Sequence, residues 1–286
     1  MNRHRIMQQL NNRLVSHPYE QPQVTRHQFL QELHARLSPR NYLEIGVCNG
    51  QSLKLSRVPS IAIDPSPVIR SPLHCDLHLV KNTSDAFFGG PDPLGHLRSA
   101  RNPLKNLRRG RPLLGRYTDG PTLDLAFIDG MHLFEYALRD FMNVERYCSW
   151  SSVVVFDDML PRNPQEARRD RRTNAWTGDV FKMIPVLEQY RSDLITVQVN
   201  TEPTGLLLVL GLDPKNTVLR ENYQSIIDEY VMPDPQKVPE RILDRICAVN
   251  SEGLLKASFW KGLAHRRNRS RVLTRARQEL EQIQGH

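Results

Sequence analysis

The segment YLEIGVCNG, residues 42–50, has the pattern of a buried strand that runs into a glycine-containing turn. Two later apolar segments, LAFID at residues 125–129 and VVVFDD at residues 153–158, also end in acidic side chains. In an open parallel sheet, ligands bind in the crevice outside the carboxyl ends of the strands. Because the first segment also carries a carboxylate near its end, the three segments together predict a functional site at one edge of a sheet.

The rest of the pattern predicts a doubly wound α/β fold. Short apolar segments alternate with helical ones, which is typical of a mostly parallel sheet that is buried on both faces. We predict seven strands, at about residues 41–46, 61–64, 77–80, 123–129, 152–158, 194–199 and 206–210. Helices are predicted from about Ser52, over 132–146 and over 180–190. A turn sequence at 202–205 joins the last two strands, so the final strand should be antiparallel.

The pattern divides the chain into three regions. Residues 1–38 have apolar side chains at helical spacings, and we expect N-terminal helices there. Residues 39–212 form the sheet domain, with an insertion rich in glycine, proline and arginine at about 89–122. Residues 213–286 are predicted to be a helical extension interrupted by prolines. The terminal helices could pair two copies of the chain, so a homo-oligomer is one expected state.

The composition indicates a soluble globular protein. The chain has 286 residues, of which 39% are hydrophobic and 24% are charged. No apolar segment reaches the length needed to cross a membrane, and the first residues lack the apolar centre of a secretory signal. The four cysteines are scattered without a Cys-x-x-Cys pair, which argues against a zinc site or a disulfide framework. We therefore expect a cytoplasmic protein.

The net charge of +8 is concentrated in two segments, residues 98–116 and 261–277, whose charged side chains are all basic. One interpretation is a solvated surface, which we favour for 261–277. The other is a binding surface for anionic groups such as a nucleotide sugar, a phosphorylated substrate, membrane lipid or RNA. Aromatic side chains are not interleaved with these arginines, so stacking platforms for nucleic-acid bases are not evident.

The first strand and its turn carry residues suited to binding a nucleoside. Gly46 and Gly50 allow a ligand to approach the backbone closely. Asp64 ends the second strand, 20 residues after Glu44, where an acid can accept hydrogen bonds from ribose hydroxyls. The turn lacks the Gly-x-Gly-x-x-Gly pattern of dinucleotide-binding proteins, so a nucleoside without phosphates fits better. Alternatively, Glu44 caps the next helix and Asp64 is an ordinary turn residue.

These motifs resemble those of class I S-adenosylmethionine-dependent methyltransferases over about residues 40–210. Residues 44–50 are similar to the family's first motif, Asp64 to its ribose-binding acid, and residues 83–85 to the segment that borders the adenine. The resemblance implies a Rossmann-like methyltransferase fold. The cofactor-binding residues that it implies are Glu44, Gly46, Asn49, Gly50, Asp64, Ser84, Asp85 and Asp129.

A second group of motifs resembles a narrower branch of this family. The pattern F-I-D-G-x-H-x-x-E at 127–135, followed by Asp140 and by the V-F-D-D at 155–158, is similar to small-molecule and sugar O-methyltransferases. Some members of that branch require magnesium. The resemblance therefore implies a hydroxyl group as the methyl acceptor.

Asp129, Asp157 and Asp158 follow two of the predicted strands and should converge. Neighbouring carboxylates repel one another unless a cation lies between them. Oxygen ligands suit a hard divalent ion, above all Mg²⁺, and the resemblance assigns these three residues as the metal site. Such an ion lowers the pKa of a bound hydroxyl. The alternative is that Asp157 caps the next helix while Asp158 faces solvent.

His132 lies three residues after Asp129, at the start of a predicted helix beside the crevice. An imidazole titrates near neutrality, so His132 can accept the proton of a substrate hydroxyl. We predict His132 and Asp129 as the catalytic residues. The alternative for His132 is a structural hydrogen bond at a helix start. Some sugar O-methyltransferases carry an acid where this chain has Met131, which leaves no carboxylate base at that position.

The segment RRDRRTNAWTGD, residues 168–179, follows the fifth strand and should lie over the site. Arginines bind carboxylates and phosphates at two points, and Trp176 can stack on a ring. In that case the segment is a lid or a substrate loop. Alternatively, its arginines pair with acidic side chains of the chain itself.

The sequence thus predicts a methyltransferase that uses S-adenosylmethionine, with Mg²⁺, to methylate a hydroxyl of a small molecule or sugar. The expected acceptor is anionic or glycosylated. The alternative is an RNA-associated methyltransferase or a nucleic-acid-binding module that uses the basic segments. A third hypothesis is a binding protein that has lost catalysis, but the intact acids at three strand ends argue against it. A hydride-transfer enzyme is less favoured because the phosphate-binding glycines are missing.

Overall fold

The structure is a computed structural model, and it describes residues 24–99 and 122–284. Its centre is an eight-stranded sheet in the order β3-β2-β1-β4-β5-β7-β6-β8. The strands are β1 (Tyr42–Ile45), β2 (Ser60–Ile63), β3 (Leu77–Val80), β4 (Leu125–Ile128), β5 (Val153–Phe156), β6 (Ile195–Asn200), β7 (Leu206–Leu210) and β8 (Val249–Asn250). All neighbours are parallel except that β7 is antiparallel to both β5 and β6. The predicted doubly wound, mostly parallel sheet is confirmed.

The strand register brings the ends of β1, β2, β4 and β5 to one edge of the sheet. Ile45 of β1 lies beside Ile63 of β2 and Ile128 of β4, and Ile128 lies beside Phe156 of β5. Each of these residues is the last of its strand, so the residues that follow them are neighbours at the carboxyl edge. Those following residues are Gly46, Asp64, Asp129 and Asp157.

Eleven helices are described in residues 24–99 and 122–284. They are α1 (Arg26–Leu37), α2 (Ser84–Phe88), α3 (Gly95–Ser99), α4 (Phe134–Glu145), α5 (Met183–Tyr190), α6 (Val218–Glu221), α7 (Tyr223–Tyr230), α8 (Glu240–Leu243), α9 (Ser251–Lys256), α10 (Phe259–His265) and α11 (Arg269–Gln284). Thr25 and Gln28 start α1 by exchanging side-chain-to-backbone hydrogen bonds, which satisfies two amides at the helix end. The predicted helices near 132–146 and 180–190 correspond to α4 and to a 3₁₀ turn followed by α5.

Two details of the predicted elements are wrong. The helix expected from Ser52 is a single 3₁₀ turn, Leu53–Leu55, because β2 begins at Ser60 and the chain must return to the sheet at once. The hydroxyl of Ser56 contacts that of Ser60 at 2.8 Å and fixes this short connection. The eighth strand, β8, was not predicted, because two residues are too few to show a period.

Both faces of the sheet are covered by helices. One face packs against α2 to α8, and alternate strand residues such as Ile128 and Phe156 belong to that core. The other face packs against α1 and the C-terminal helices α9, α10 and α11, and it includes Leu125, Phe127 and Val155. Residues before β1 and after β8 therefore complete the same core.

Several further predictions concern the periphery of the fold. Among the described residues, no helix is long and apolar enough to cross a membrane. All four cysteines are unpaired, as expected. Residues 261–277 lie on α10 and α11 with most of their arginines exposed. The helices expected before residue 24 and nearly all of the basic segment 98–116 lie outside the described residues.

Candidate active site

The glycine turn after β1 approaches the end of β4 closely. Gly46 has a φ of +84°, and a Cβ on it would lie 2.0 Å from the carbonyl oxygen of Asp129. The N–H of Gly46 donates to the carbonyl of Ile63 at 2.9 Å, so the turn is also tied to the end of β2. Only glycine combines this conformation with this approach. The turn and Asp129 thus form one surface at the carboxyl edge.

Glu44 is fully buried beneath this turn. Its two carboxyl oxygens accept hydrogen bonds from the hydroxyls of Tyr42 (2.7 Å) and Ser52 (2.6 Å). Burial raises the pKa of Glu44 to about 8, although both hydrogen bonds oppose the rise. Through these hydrogen bonds Glu44 connects β1 to the residues that follow the turn. A direct contact between Glu44 and a cofactor stays a prediction.

The raised pKa of Glu44 makes the stability of the fold depend on pH. The folded protein keeps Glu44 protonated up to about pH 8, whereas the unfolded chain ionises it from 4.5 upward. Stability should therefore fall as the pH rises through that window, with a contribution of about 1.4 kcal/mol per pH unit from this group. Glu44→Gln should remove that contribution because an amide does not ionise, while its oxygen and NH₂ group can each still hydrogen-bond one of the two hydroxyls. Urea unfolding of both proteins between pH 5 and pH 8 tests this, and parallel pH profiles would contradict it.

Asp64 joins the end of β2 to the glycine turn. One carboxylate oxygen accepts from the N–H groups of Val47 (2.9 Å) and Cys48 (2.8 Å), and the other accepts from Ser66 (2.7 Å). The side chain is only partly buried. A carboxylate has about four acceptor sites, so Asp64 retains capacity for ligand hydroxyls. Asn49, in the same turn, accepts from the N–H of Gln51 at 3.2 Å.

Ser84 and Asp85 lie at the start of α2, and both bind side chains of α4. The hydroxyl of Ser84 donates to the buried carboxylate of Asp140 at 2.5 Å. Asp85 pairs with Arg139 at 2.9 Å. The structure thus places both residues at the carboxyl edge after β3, and their contact with an adenine stays a prediction.

Asp129, Asp157 and Asp158 converge at the ends of β4 and β5, as predicted. Asp157 and Asp158 are buried, so Asp158 does not face solvent as the alternative required. Thr204, in the β6–β7 turn, donates to Asp158 at 2.5 Å. Burial and the charge of Asp129 raise the pKa values of both Asp157 and Asp158.

Arg26, at the start of α1, forms an ion pair with Asp157 that the sequence analysis missed. A hydrogen bond of 3.0 Å from its N–H to the carbonyl of Glu202 holds the start of α1 against the β6–β7 turn. Burial lowers the pKa of Arg26, but the charges of Asp157, Asp129 and Asp158 outweigh it and leave the pKa raised. No local sequence signal connects Arg26 to an acid 131 positions away.

His132 lies between two of the acids. Its Nε2 is 3.4 Å from Asp129, and its Nδ1 is 3.0 Å from Asp158 and 2.9 Å from the carbonyl of Trp176. Burial disfavours the charged ring, but the hydrogen bond with Asp129 and the charge of Asp158 raise the pKa of His132 to about 9. In this arrangement the imidazole is a cation. It can act as a base only after it has lost this proton, which becomes easier when Asp129 or Asp158 binds another positive group.

The segment at 168–179 covers His132. The ring of Trp176 stacks on the imidazole with 5.0 Å between centroids and 8° between planes. A Cβ on Gly178, where φ is +61°, would lie 1.6 Å from the carbonyl oxygen of His132. Two arginines of the segment pair with acids of the chain: Arg168 with Asp234 (3.6 Å), and Arg169 with Glu135 (2.6 Å) and Asp179 (2.8 Å). These pairs agree with the second interpretation of the segment, and a role as a lid or substrate loop stays a prediction.

This cover leaves little space beside the acids. The cavity lined by Asp129, His132, Asp157 and Asp158 has a volume of about 10 Å³, which is room for about one water molecule. The side chains of Asp129 and His132 nevertheless remain partly exposed to solvent.

The residues present fit a divalent cation. One ligand atom from each of Asp129, His132 and Asp158 lies within 4.8 Å of the others. The Oδ1 of Asp157 is buried and has no hydrogen-bond partner. A buried carboxylate oxygen without a partner is costly, and a bound cation would relieve that cost. Asp157 lies outside the cluster of three, and its other oxygen forms the ion pair with Arg26.

Comparisons with known proteins were made by family, by sequence and by structure. No protein-family model matches the chain, and no curated protein matches it in sequence. Among solved structures it is similar to an O-methyltransferase from Bacillus cereus in complex with S-adenosylhomocysteine, with a TM-score of 0.41 and 15% identity over 72% of this chain and 89% of that one.

Two further solved structures are similar to this chain. A methyltransferase from Podospora anserina with bound S-adenosylhomocysteine has a TM-score of 0.40 and 13% identity, over 66% of this chain and 78% of that one. An O-methyltransferase from Streptomyces achromogenes involved in tomaymycin synthesis, in complex with S-adenosylmethionine, has a TM-score of 0.36 and 20% identity over 65% and 79%.

Proposed function

We propose that this protein is an S-adenosylmethionine-dependent methyltransferase that acts on a hydroxyl group of a small molecule or sugar. The observation that carries the proposal is the convergence at one sheet edge of two sets of residues. The glycine turn and Asp64 lie after β1 and β2, whereas Asp129 and His132 lie after β4 and Asp158 lies after β5. The first set suits a nucleoside, and the second suits a hydroxyl that must lose its proton.

Each set has a separate task in this reaction. S-adenosylmethionine supplies a methyl group on a positively charged sulfur. Asp64 would accept hydrogen bonds from the ribose hydroxyls, and Asp129 would present negative charge toward the sulfonium. Once it has lost its own proton, His132 would take the proton of the acceptor hydroxyl as the oxygen forms its bond to the methyl carbon and the bond from carbon to sulfur breaks. Alignment of oxygen, carbon and sulfur supplies most of the rate enhancement in such a displacement.

A divalent cation is part of the proposal. Asp129, Asp157 and Asp158 would hold it, and it would lower the pKa of the acceptor hydroxyl. Arg26 forms an ion pair with Asp157 in this structure. Asp157 could therefore bind a divalent cation only if it left Arg26 or bound both positive groups. Trp176 stacks on His132 and would shield it from water.

Cofactor binding through Asp64 gives the direct test. Asp64→Asn should weaken the binding of S-adenosylhomocysteine roughly tenfold or more, because an amide accepts hydrogen bonds from hydroxyls less strongly than a carboxylate does. The amide oxygen can still accept from Val47 and Cys48, so the turn should stay folded. Isothermal titration calorimetry on the parent protein and the variant measures the effect.

A matched control is Asp228→Asn, on an exposed part of α7, where the acid accepts only from Gln224 at 2.8 Å. This variant should bind S-adenosylhomocysteine as the parent protein does. The proposal fails if the parent protein shows no binding, or if both variants bind as the parent does.

A further inference from the structure

A cavity lies beside the short connection between β1 and β2, away from the candidate active site. The connection contains only the 3₁₀ turn Leu53–Leu55, and α1 runs next to it. The space between them has a volume of about 660 Å³, which is within the range of small-molecule sites. Its lining includes Ser38 and Pro39, before β1, and Val58, before β2. It is therefore displaced from the carboxyl edge, where the acids lie.

The ionisable side chains that line this cavity are all basic: His34, Lys54, Arg57 and His74. Lys54 donates to the side-chain oxygen of Gln51. Arg57 donates to the carbonyls of Lys54 (2.7 Å) and Ser56 (3.3 Å). Within residues 24–99 and 122–284, neither cation has a carboxylate within ion-pair distance. Both cations therefore keep the capacity to bind an anion.

His34 adds an unsatisfied polar atom to the cavity wall. Its Nε2 is buried and has no hydrogen-bond partner, although its ring packs edge-on against Tyr42 with 4.9 Å between centroids. Burial and the charge of Arg57 lower the pKa of His34 to about 4. The ring is thus neutral at pH 7, and Nε2 would bond a polar ligand atom once ligand binding exposes it.

Part of the cavity lining is apolar, with Ala35 on α1, Leu55 in the 3₁₀ turn, Val58 and Pro72. A ligand with a charged group and an apolar or ring-shaped body would match this mixed lining. Two neighbouring cations match a doubly charged group better than a singly charged one.

We propose that this cavity is a second ligand site, which binds a small phosphorylated molecule. Lys54 and Arg57 hold the phosphate, His34 bonds one of its oxygens or a neighbouring polar atom, and the ring or apolar body lies against Leu55 and Val58. The site is independent of the methyl-transfer reaction and would exist if that function were absent.

Three probes test the proposal on the full chain: phenyl phosphate, inorganic phosphate and benzoate. Calorimetry should show saturable binding of phenyl phosphate, with inorganic phosphate and benzoate each at least about threefold weaker. The ring signals of His34 in a carbon-proton NMR spectrum should shift as phenyl phosphate is added. The variant Lys54→Gln/Arg57→Gln should bind phenyl phosphate at least about tenfold more weakly.

The control is Arg241→Gln, which removes an exposed arginine paired with Glu188 at 2.7 Å and should leave binding unchanged. Thermal unfolding of the double variant should match the parent protein, because Lys54 and Arg57 pair with no acid. Binding of phenyl phosphate weaker than about 10 mM, or binding that the double variant retains, overturns the proposal. Equal affinity for benzoate overturns the assignment to phosphate.

Discussion

The Asp157→Ala variant should lose turnover by at least about a hundredfold and yet bind S-adenosylhomocysteine as tightly as the parent protein does. Asp157 lies at the end of β5 among the acids, whereas Asp64 and the glycine turn follow β2 and β1. The substitution therefore removes a negative charge only from the part of the site that is proposed to bind the methyl acceptor. Rates are measured with methyl-labelled S-adenosylmethionine and an acceptor that the parent protein methylates, and binding is measured by calorimetry. A calorimetric Mg²⁺ titration of both proteins should show weaker binding to the variant.

Glu188→Ala is the control for this variant, because Glu188 is an exposed acid on α5 that pairs with Arg241. It should retain the activity of the parent protein. Full activity of Asp157→Ala would remove the divalent cation from the proposal. Loss of cofactor binding together with activity would instead mean that Asp157 supports the whole carboxyl edge, which urea unfolding of the variant would reveal.

The Gly46→Ala variant should be destabilised by roughly 3 kcal/mol or more. A Cβ at this position would lie 2.0 Å from the carbonyl oxygen and 2.4 Å from the carbonyl carbon of Asp129. Both are backbone atoms, so no side-chain rotation can relieve the overlap. The φ of +84° adds strain for any residue with a Cβ. The free energy of unfolding in urea measures the loss, and the folded fraction that remains should bind S-adenosylhomocysteine poorly.

Gly253→Ala offers a matched glycine without these constraints. Gly253 lies in α9, and the nearest atoms to its Cβ would be Ile283 at 3.8 Å and Asn250 at 3.9 Å. Alanine is favoured over glycine in helices by about 1 kcal/mol, so this variant should be as stable as the parent protein or slightly more stable. Equal stability of Gly46→Ala and the parent protein would show that the turn does not approach Asp129 as described.

Two kinds of information were enough to predict the sheet and the position of the candidate site. They are the local pattern of apolar residues and the rule that ligands bind at the carboxyl ends of parallel strands. Strand periodicity located the buried segments, and parallel pairing brought their acidic ends together. The convergence of Asp64, Asp129 and Asp157 follows from that register alone. No side-chain contact had to be known in advance.

Contacts between distant parts of the chain could not be predicted in this way. The pairing of Arg26 with Asp157 depends on how α1 docks against the β6–β7 turn, which no local pattern encodes. The charge of His132 could not be predicted either, because burial and two acids together determine its pKa. The helix predicted from Ser52 is wrong for a similar reason, because the return of the chain to β2 at Ser60 leaves space for only one 3₁₀ turn.

The helices at the two ends of the chain close the same side of the sheet. Phe29 and Leu33 of α1 share one apolar cluster with Trp260 of α10 and Leu273 of α11. A fragment trimmed to residues 39–212 would carry every acid of the site but would leave one side of its central sheet bare to water. Such a fragment should aggregate rather than fold, so expression for crystallography or assay needs both ends.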